Sequence, residues 1–299
     1  MLKYVEYIKK NKLGWVYTTK TFKEITTLKI GGKIKLLFYP NTVENFIYFY
    51  KYYLNHKDLK LFIMGNGSNI FANSKEYNGI VVSFKKLNYK YSIINDVLDI
   101  NSGVMINDAI NYLVNNNYAS FEHLYYIPAT IGGMIKMNGG AYDTAISDNL
   151  ISVNCVNTDG NIKVYNKEEL DFAYRKSNIN DNIILSAKFK LIKKEKKILK
   201  QLIENIKKER LSKQPLNLNN AGSTFKNGTN YRAWELIEKS GLRGYQVKDA
   251  TVSKKHTNFL VNVKNCDSDD MNRLINDVKL KVKNMFNVNL EIEWIFVNF

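Results

Sequence analysis

The stretch IPATIGGMIKMNGGAY, residues 127–142, gathers two Gly-Gly pairs in a chain of 299 residues that has only 16 glycines and three prolines. Pro128-Ala129-Thr130-Ile131-Gly132-Gly133 and Met137-Asn138-Gly139-Gly140-Ala141-Tyr142 repeat one chemistry. Small residues at this density let backbone pack against a flat ring system or a pyrophosphate, where a side chain would block the approach. A dinucleotide cofactor offers both surfaces.

Working outward, an apolar strand LKLFIM runs into Gly65-Asn66-Gly67-Ser68-Asn69. Two readings stand for that turn: a nest of backbone N–H groups for a phosphate, or a tight turn between strands. It is not a dinucleotide fingerprint of the doubly wound kind, because GIVVSF follows as a strand with no amphipathic helix between. Upstream, residues 2–11 and 43–53 read as helices, and TTLKIGGKIKLLFYP as a strand, a Gly31-Gly32 turn and a second strand. Downstream, INDAINYLVNNNY places Ile106, Ala109, Ile110 and Leu113 at helical spacing, and LISVNCV and NIILSAKFKLI read as strands.

From Lys193 to Lys213 the chain turns strongly charged, with Ile198, Leu202 and Ile206 on one stripe of a surface helix. A C-terminal unit follows. It holds NNAGSTFKNG, a helix RAWELIEKS stopped by Gly241, a strand TNFLVNV and a helix opened by Asp/Ser capping at residues 267–268. The last run, NLEIEWIFV, alternates, with Leu290, Ile292, Trp294 and Phe296 on one face and Glu291, Glu293 and Ile295 on the other. The expected class is α+β, divided into residues 1–90, 91–195 and 196–299.

The hydrophobic fraction of 45% and charged fraction of 24% are ordinary globular values. A formal charge of +16 favours anionic partners, but the lysines are scattered along the chain, so neither nucleic acid nor a membrane surface is expected as a partner. Cys155 and Cys266 lie far apart without metal spacing, which fits a reduced, cytoplasmic compartment and no metal. Ser223 in NNAGSTFKNG raises the question of a nucleophile. That role needs a base, and the chain has only three histidines, none at motif spacing.

GNGSNIF, IPATIGGMIKMNGGAY, FAYRKS, AGSTFKN, LIEKSGLRGY, VSKKHTNFLVN and LEIEW occur in this order between about Thr26 and Trp294. Together they resemble the UDP-N-acetylenolpyruvoylglucosamine reductases, flavoenzymes that complete UDP-N-acetylmuramate in peptidoglycan synthesis. The direct passage through YRKS is similar to the shorter form of that family, without an inserted lid. The resemblance implies a vanillyl-alcohol-oxidase-type FAD-binding half of two subdomains, then a C-terminal α/β substrate-binding domain. It implies that Gly65, Asn66, Gly67, Ser68 and Asn69 hold the FAD pyrophosphate. Thr130, Ile131, Gly132, Gly133, Asn138, Gly139, Gly140 and Ala141 would line the flavin. Because His56 and His123 fall outside these loops, FAD is expected to be noncovalent, with NADPH as hydride donor and a UDP-sugar as substrate. A monomer satisfies the sequence, which leaves the oligomeric state open.

By the same resemblance, hydride added to the vinyl carbon of an enol ether gives an enolate-like dianion, and three residues serve it. Arg175 would bind the carboxylate with its guanidinium fork. Glu293 would share in stabilising the enolate, and Ser223 would deliver a proton to carbon. Read without the resemblance, Arg175 is a surface residue of a Tyr-Arg pair and Glu293 a solvated strand residue. Tyr174, Arg210, Lys226, Asn227 and His256 match substrate-side positions. For Arg210 and Lys226 a solvated face is the alternative, and for His256 a half-buried ring bonded to backbone. The chain departs from the family in Lys248-Asp249 where glycines are usual, in Gly228 after FKN, and in the missing terminal glycine. Arg175, Ser223 and Glu293 are unaffected by these changes.

Overall fold

The structure, a computed structural model, describes residues 1–88 and 91–299. The chain forms two compact units, one from Met1–Thr18, Leu36–Asn66 and Asn78–Lys208, the other from Thr19–Lys35, Gly67–Tyr77 and Glu209–Phe299. The boundary expected after Lys90 falls on residues outside those described.

In the first unit, a four-stranded sheet runs in the order Gly14–Tyr17, Ile34–Pro40, Tyr77–Ser83, Lys60–Met64. The outer pair at one edge is antiparallel and at the other parallel. Thr42 caps the helix Val43–Leu54 by accepting from the Asn45 N–H at 3.1 Å, and Phe46, Phe49 and Tyr50 of that helix are buried. They pack with Leu36, Phe38, Ile80 and Val82, and the Phe38 and Phe49 rings lie 4.7 Å apart.

A second sheet is antiparallel throughout, in the order Ile162–Asn166, Leu150–Val156, Ile183–Lys190, Val97–Asn101, Tyr91–Ile94. Strand alternation is plain in Ile183–Lys190, where Leu185, Ala187 and Phe189 are buried and Lys188 and Lys190 exposed. The helix Ile106–Asn115 buries the residues its spacing predicts, Ile106, Ala109, Ile110 and Leu113. These two sheets have separate cores, one drawn mainly from residues 4–87 and one from residues 98–199.

The second unit carries a four-stranded antiparallel sheet, Asn219–Asn220, Leu260–Asn262, Ala250–Val252, Gln246–Val247. The helices Ala233–Lys239 and Ser268–Phe286 contribute Ile237, Met271, Leu274, Ile275 and Val278 to its core. As expected, Asp267 caps the long helix by accepting from the N–H groups of Asp269 and Asp270, and Gly241 ends the shorter one at φ +68°.

Three local expectations need correction. No strand forms ahead of Gly31. Instead Phe22–Ile25 is a short helix with a Thr21/Glu24 capping box, and Gly32 exchanges its bonds with Asn73 and Phe22 rather than across a hairpin. On the helix Lys196–Lys213, Ile198 is 51% exposed, and the buried positions are Leu199, Ile206 and Arg210, with Ile203 packed against the core. These four positions, spaced by four, three and four residues, lie on one narrow stripe, a quarter turn away from Ile198. The terminal alternating run is not one strand. Only Ile295–Val297 is extended, paired in parallel with Ile70–Ala72, while Glu291 and Glu293 bond the Phe225 segment, so Phe296 is exposed rather than buried with Trp294.

Candidate active site

In the first unit the two glycine stretches, far apart in sequence, touch. A Cβ on Gly65 would fall 2.3 Å from Thr130 Oγ1, so only glycine allows this approach. Beside it, Asn66 Nδ2 donates to the Pro128 carbonyl at 2.7 Å.

The two loops nevertheless offer different chemistry. Thr130 caps a short helix, Ile131–Lys136, where a loop is expected from the glycines, and Thr130 Oγ1 accepts from the Gly133 N–H. The N–H of Ile131 goes to Val104 and that of Gly132 to Ser102, each at 2.8 Å. Within Thr130–Gly133 the N–H groups of Ile131, Gly132 and Gly133 are therefore taken up by the chain. A Cβ on Gly133 would meet nothing within 4 Å but Thr130 Oγ1, which leaves the face at Gly133 open for a planar ring. By contrast, among the described residues the N–H groups of Asn66, Gly67 and Ser68 donate to no group of the chain. Gly67 sits at φ +70°, with its missing Cβ 3.0 Å from the Ile25 carbonyl. Free N–H groups at a glycine turn suit a pyrophosphate, and a flat glycine face suits an isoalloxazine, so the residues present fit FAD.

Asn138 to Ala141 lead into a hairpin with Thr144–Ala145, and this segment meets the turn bearing Arg175. Asn138 Nδ2 donates to the Ala173 carbonyl at 3.0 Å, and Arg175 Nη2 to the Gly140 carbonyl at 3.1 Å. Arg175 is half-buried at φ +54°, its guanidinium 4.9 Å from the centre of the exposed Tyr174 ring. Arg175 is thus no free surface residue.

The second unit holds Gly67, Ser68, Asn69, Arg210, Ser223, Lys226, Asn227, His256 and Glu293. Thr224 is the centre of their frame. Its N–H donates to the Asn258 carbonyl at 2.8 Å, its carbonyl accepts from the Glu293 N–H at 2.9 Å, and its hydroxyl accepts from the Leu260 N–H at 3.2 Å. Asn258 pairs with both backbone groups of Phe225, its Oδ1 accepting at 3.0 Å and its Nδ2 donating at 2.8 Å. Glu293 is held from the other side as well, because Asn69 Nδ2 donates to its carbonyl at 3.1 Å and Asn69's own carbonyl accepts from Ile295 at 2.9 Å. Ser223 lies next to Thr224, half-buried, and among the described residues its hydroxyl bonds no other group. Gly222 precedes it at φ +75° with nothing within 4 Å of where a Cβ would stand.

The substrate-side expectations divide. Arg210 is buried in the last turn of its helix rather than on a solvated face. Lys226 pairs with the exposed Glu291. Asn227 Oδ1 accepts from the Ala233 N–H at 3.0 Å and so serves the start of a helix. His256 is half-buried beside Phe259, and its Nδ1 accepts from the Asn258 N–H. Burial pushes its imidazole below the ordinary value, Arg243 adds to this, and a backbone bond opposes it. Thr224 and Asn258, which brace the whole frame, were not singled out in the sequence. A polar side chain buried for backbone bonding has no local pattern to announce it.

Lys248 takes the left-handed position, φ +47°, in the two-residue turn between Gln246–Val247 and Ala250–Val252. This is where glycine would be unstrained. The hairpin closes regardless, and Lys248 pairs with Asp270 at 3.0 Å. Among the described residues no group of three His, Cys, Asp or Glu could hold a metal, and no helix is long and apolar enough to cross a membrane.

A donor-rich glycine turn at residues 65–69 and, within the first unit, an open glycine face at Gly133 are features of a flavoprotein. Residues 34–166 match the FAD binding domain family accordingly. Residues 214–297 match the UDP-N-acetylenolpyruvoylglucosamine reductase C-terminal domain. The chain belongs to the UDP-N-acetylenolpyruvoylglucosamine reductase family. It is 37% identical over 284 residues to the reductase of Clostridium tetani, covering 94% of this chain and 92% of the relative. To that of Clostridium novyi it is 38% identical over 276 residues, 91% and 88% of the two chains. The crystal structure of the UDP-N-acetylenolpyruvylglucosamine reductase from Thermus caldophilus superposes with a TM-score of 0.79 at 27% identity, over 95% of this chain and 98% of that one. The chain is an FAD-dependent oxidoreductase.

Proposed function

We propose that the chain reduces UDP-N-acetylglucosamine enolpyruvate to UDP-N-acetylmuramate with NADPH, and that Arg175, Ser223 and Glu293 carry the chemistry. The N–H groups of Gly65 to Asn69 would hold the FAD pyrophosphate, and Thr130–Gly133 and Gly139–Ala141 would line the ring. The division into subdomains 1–90 and 91–195 and a substrate domain 196–299 is part of this reading; separate cores drawn mainly from residues 4–87 and 98–199 support the first boundary, while Leu28, Ile30 and Phe71 pack in the C-terminal core. When bound, FAD supplies hydride transfer between nicotinamide and substrate.

The protein's own residues then have defined tasks. Arg175 holds the substrate carboxylate through two parallel N–H bonds and stabilises the charge that builds on it. Glu293, its backbone clamped between Thr224 and Asn69, shares in that stabilisation. Ser223 gives its proton to carbon. A hydroxyl is a weak acid, but a carbanionic enolate is a strong base, so no histidine is needed.

The observation that carries this reading is the frame around Thr224, which fixes the backbone beside Ser223 while, among the described residues, the serine hydroxyl bonds no other group. The test is to mix the flavoprotein with NADPH, with and without the enolpyruvyl sugar nucleotide, and follow both absorbance at 340 nm and the product. NADPH consumption indifferent to that nucleotide would overturn the assignment in favour of another substrate.

A further inference from the structure

We infer that Asn138 is a positioning residue for Arg175, an inference that rests on the role proposed for Arg175 above. The motif made Asn138 a flavin neighbour, yet its amide is turned to the arginine's turn. Ala173 and Lys176 exchange backbone hydrogen bonds at 3.0 and 3.1 Å, so Tyr174 and Arg175 are the central residues of a two-residue turn. Arg175 occupies the second central position at φ +54°, the left-handed region where a side chain is strained. Such a conformation persists only where its surroundings hold it.

Among the described residues, bonds to one short segment contribute to this. Ser177 Oγ donates to the Lys136 carbonyl at 2.8 Å, Asn138 Nδ2 to the Ala173 carbonyl at 3.0 Å, and Arg175 Nη2 to the Gly140 carbonyl at 3.1 Å. Alternate residues 136, 138 and 140 thus grip the turn at its end, its start and its strained centre. Of the side chains involved only Asn138 is buried, 8% exposed, and its backbone is left-handed at φ +40°. Ala173 already accepts from Lys176 within the turn, and Asn138 fixes that same carbonyl from outside.

The consequence is geometric. The guanidinium sits at the end of a long side chain, so a small rotation of the turn displaces the fork by an ångström or more. A displacement of that size at a reacting group costs about 100-fold in rate. Asn138 therefore governs the half-reaction that uses Arg175, not flavin binding.

The variant of choice is Asn138→Gly, which removes the amide and accepts φ +40° without strain; Asn138→Asp, close in shape but without the donor, stands in should the glycine variant fail to fold. The FAD-loaded protein is assayed in three ways. Trypsin should cut the Arg175–Lys176 bond at least 5-fold faster than in the wild type, with flavin content unchanged. Reoxidation of the reduced flavin by the enolpyruvyl sugar nucleotide should slow about 10- to 100-fold, while reduction by NADPH stays within about 2-fold. In an Arg175→Ala background, removing the Asn138 amide should add little further slowing, because both changes act through one group. Loss of flavin, or equal slowing of both half-reactions, would overturn the inference and return Asn138 to the cofactor. An Asn138→Gly protein with wild-type cleavage and reoxidation, beside a slow Arg175→Ala, would overturn it alone. Wild-type reoxidation in Arg175→Ala would instead remove Arg175 from the chemistry, with trypsin still reporting whether Asn138 holds the turn.

Discussion

The backbone N–H of Glu293 donates to the Thr224 carbonyl at 2.9 Å, so the glutamate of the last segment is pinned to the residue after Ser223. Asn69 holds the other side of the same peptide run, through the Glu293 carbonyl. Within this unit, the backbones of Glu293 and of Thr224, the neighbour of Ser223, belong to one hydrogen-bonded frame, and the proposed chemistry of Ser223 is tested against it.

Ser223→Ala should leave unfolding free energy within about 0.5 kcal/mol of the wild type, since the hydroxyl bonds no neighbour. Stopped-flow reduction by NADPH should be nearly unchanged. Reoxidation by the enolpyruvyl sugar nucleotide should slow by about two to four orders of magnitude, the usual contribution of a positioned proton donor. Equal slowing of both halves would refute the assignment.

Asn258→Ala should be among the most destabilising polar substitutions in the second unit. It strands the buried N–H and carbonyl of Phe225, which Asn258 now satisfies at 3.0 and 2.8 Å. Unpaired buried backbone groups cost about 1–3 kcal/mol each. A urea midpoint indistinguishable from the wild type would mean that the frame has other supports.

Gly65→Ala should weaken FAD retention and cost about 1–3 kcal/mol, because the new methyl group meets Thr130 Oγ1. Thr130 is the capping residue of Ile131–Lys136, so it has no free direction in which to retreat. Flavin content after gel filtration and the thermal midpoint check both parts; a fully flavinated variant of unchanged midpoint would contradict the contact.

His256 should make stability pH-dependent on the acid side. Its folded value is pushed down by burial, so below the unfolded value of about 6.5 the unfolded chain binds more protons than the folded one. The contribution is complete above that pH and is lost as pH falls through it. Urea unfolding at pH 7.5 and 5.5 should show a smaller drop for His256→Asn than for the wild type; parallel drops would exclude His256 as the source.

Lys226→Met separates two roles by different readouts. The ion pair with exposed Glu291 contributes about 0–1 kcal/mol, so stability should hardly change. A role toward the substrate diphosphate would appear as a raised KM for the sugar nucleotide with flavin reduction by NADPH intact. An unchanged KM leaves Lys226 as a surface partner of Glu291.

Much of this molecule was legible in its sequence. The run 43–53, the spacing of Ile106 to Leu113 and the Asp/Ser cap at residues 267–268 mark three helices that the fold contains, because amphipathic faces and caps are local properties. The ordered glycine and serine blocks carried the family. What the sequence left open was settled by which distant segments meet. The last apolar run alternates as a single strand would, yet its backbone is divided between Thr224–Lys226 and Ile70–Ala72, and no periodicity records two partners. Likewise Gly65–Asn69 and Thr130–Gly133 look alike as glycine stretches. Only the fold, among the described residues, leaves the N–H groups of Asn66, Gly67 and Ser68 free and takes up those of Ile131, Gly132 and Gly133, since a backbone donor's availability depends on the carbonyls that tertiary packing brings within reach.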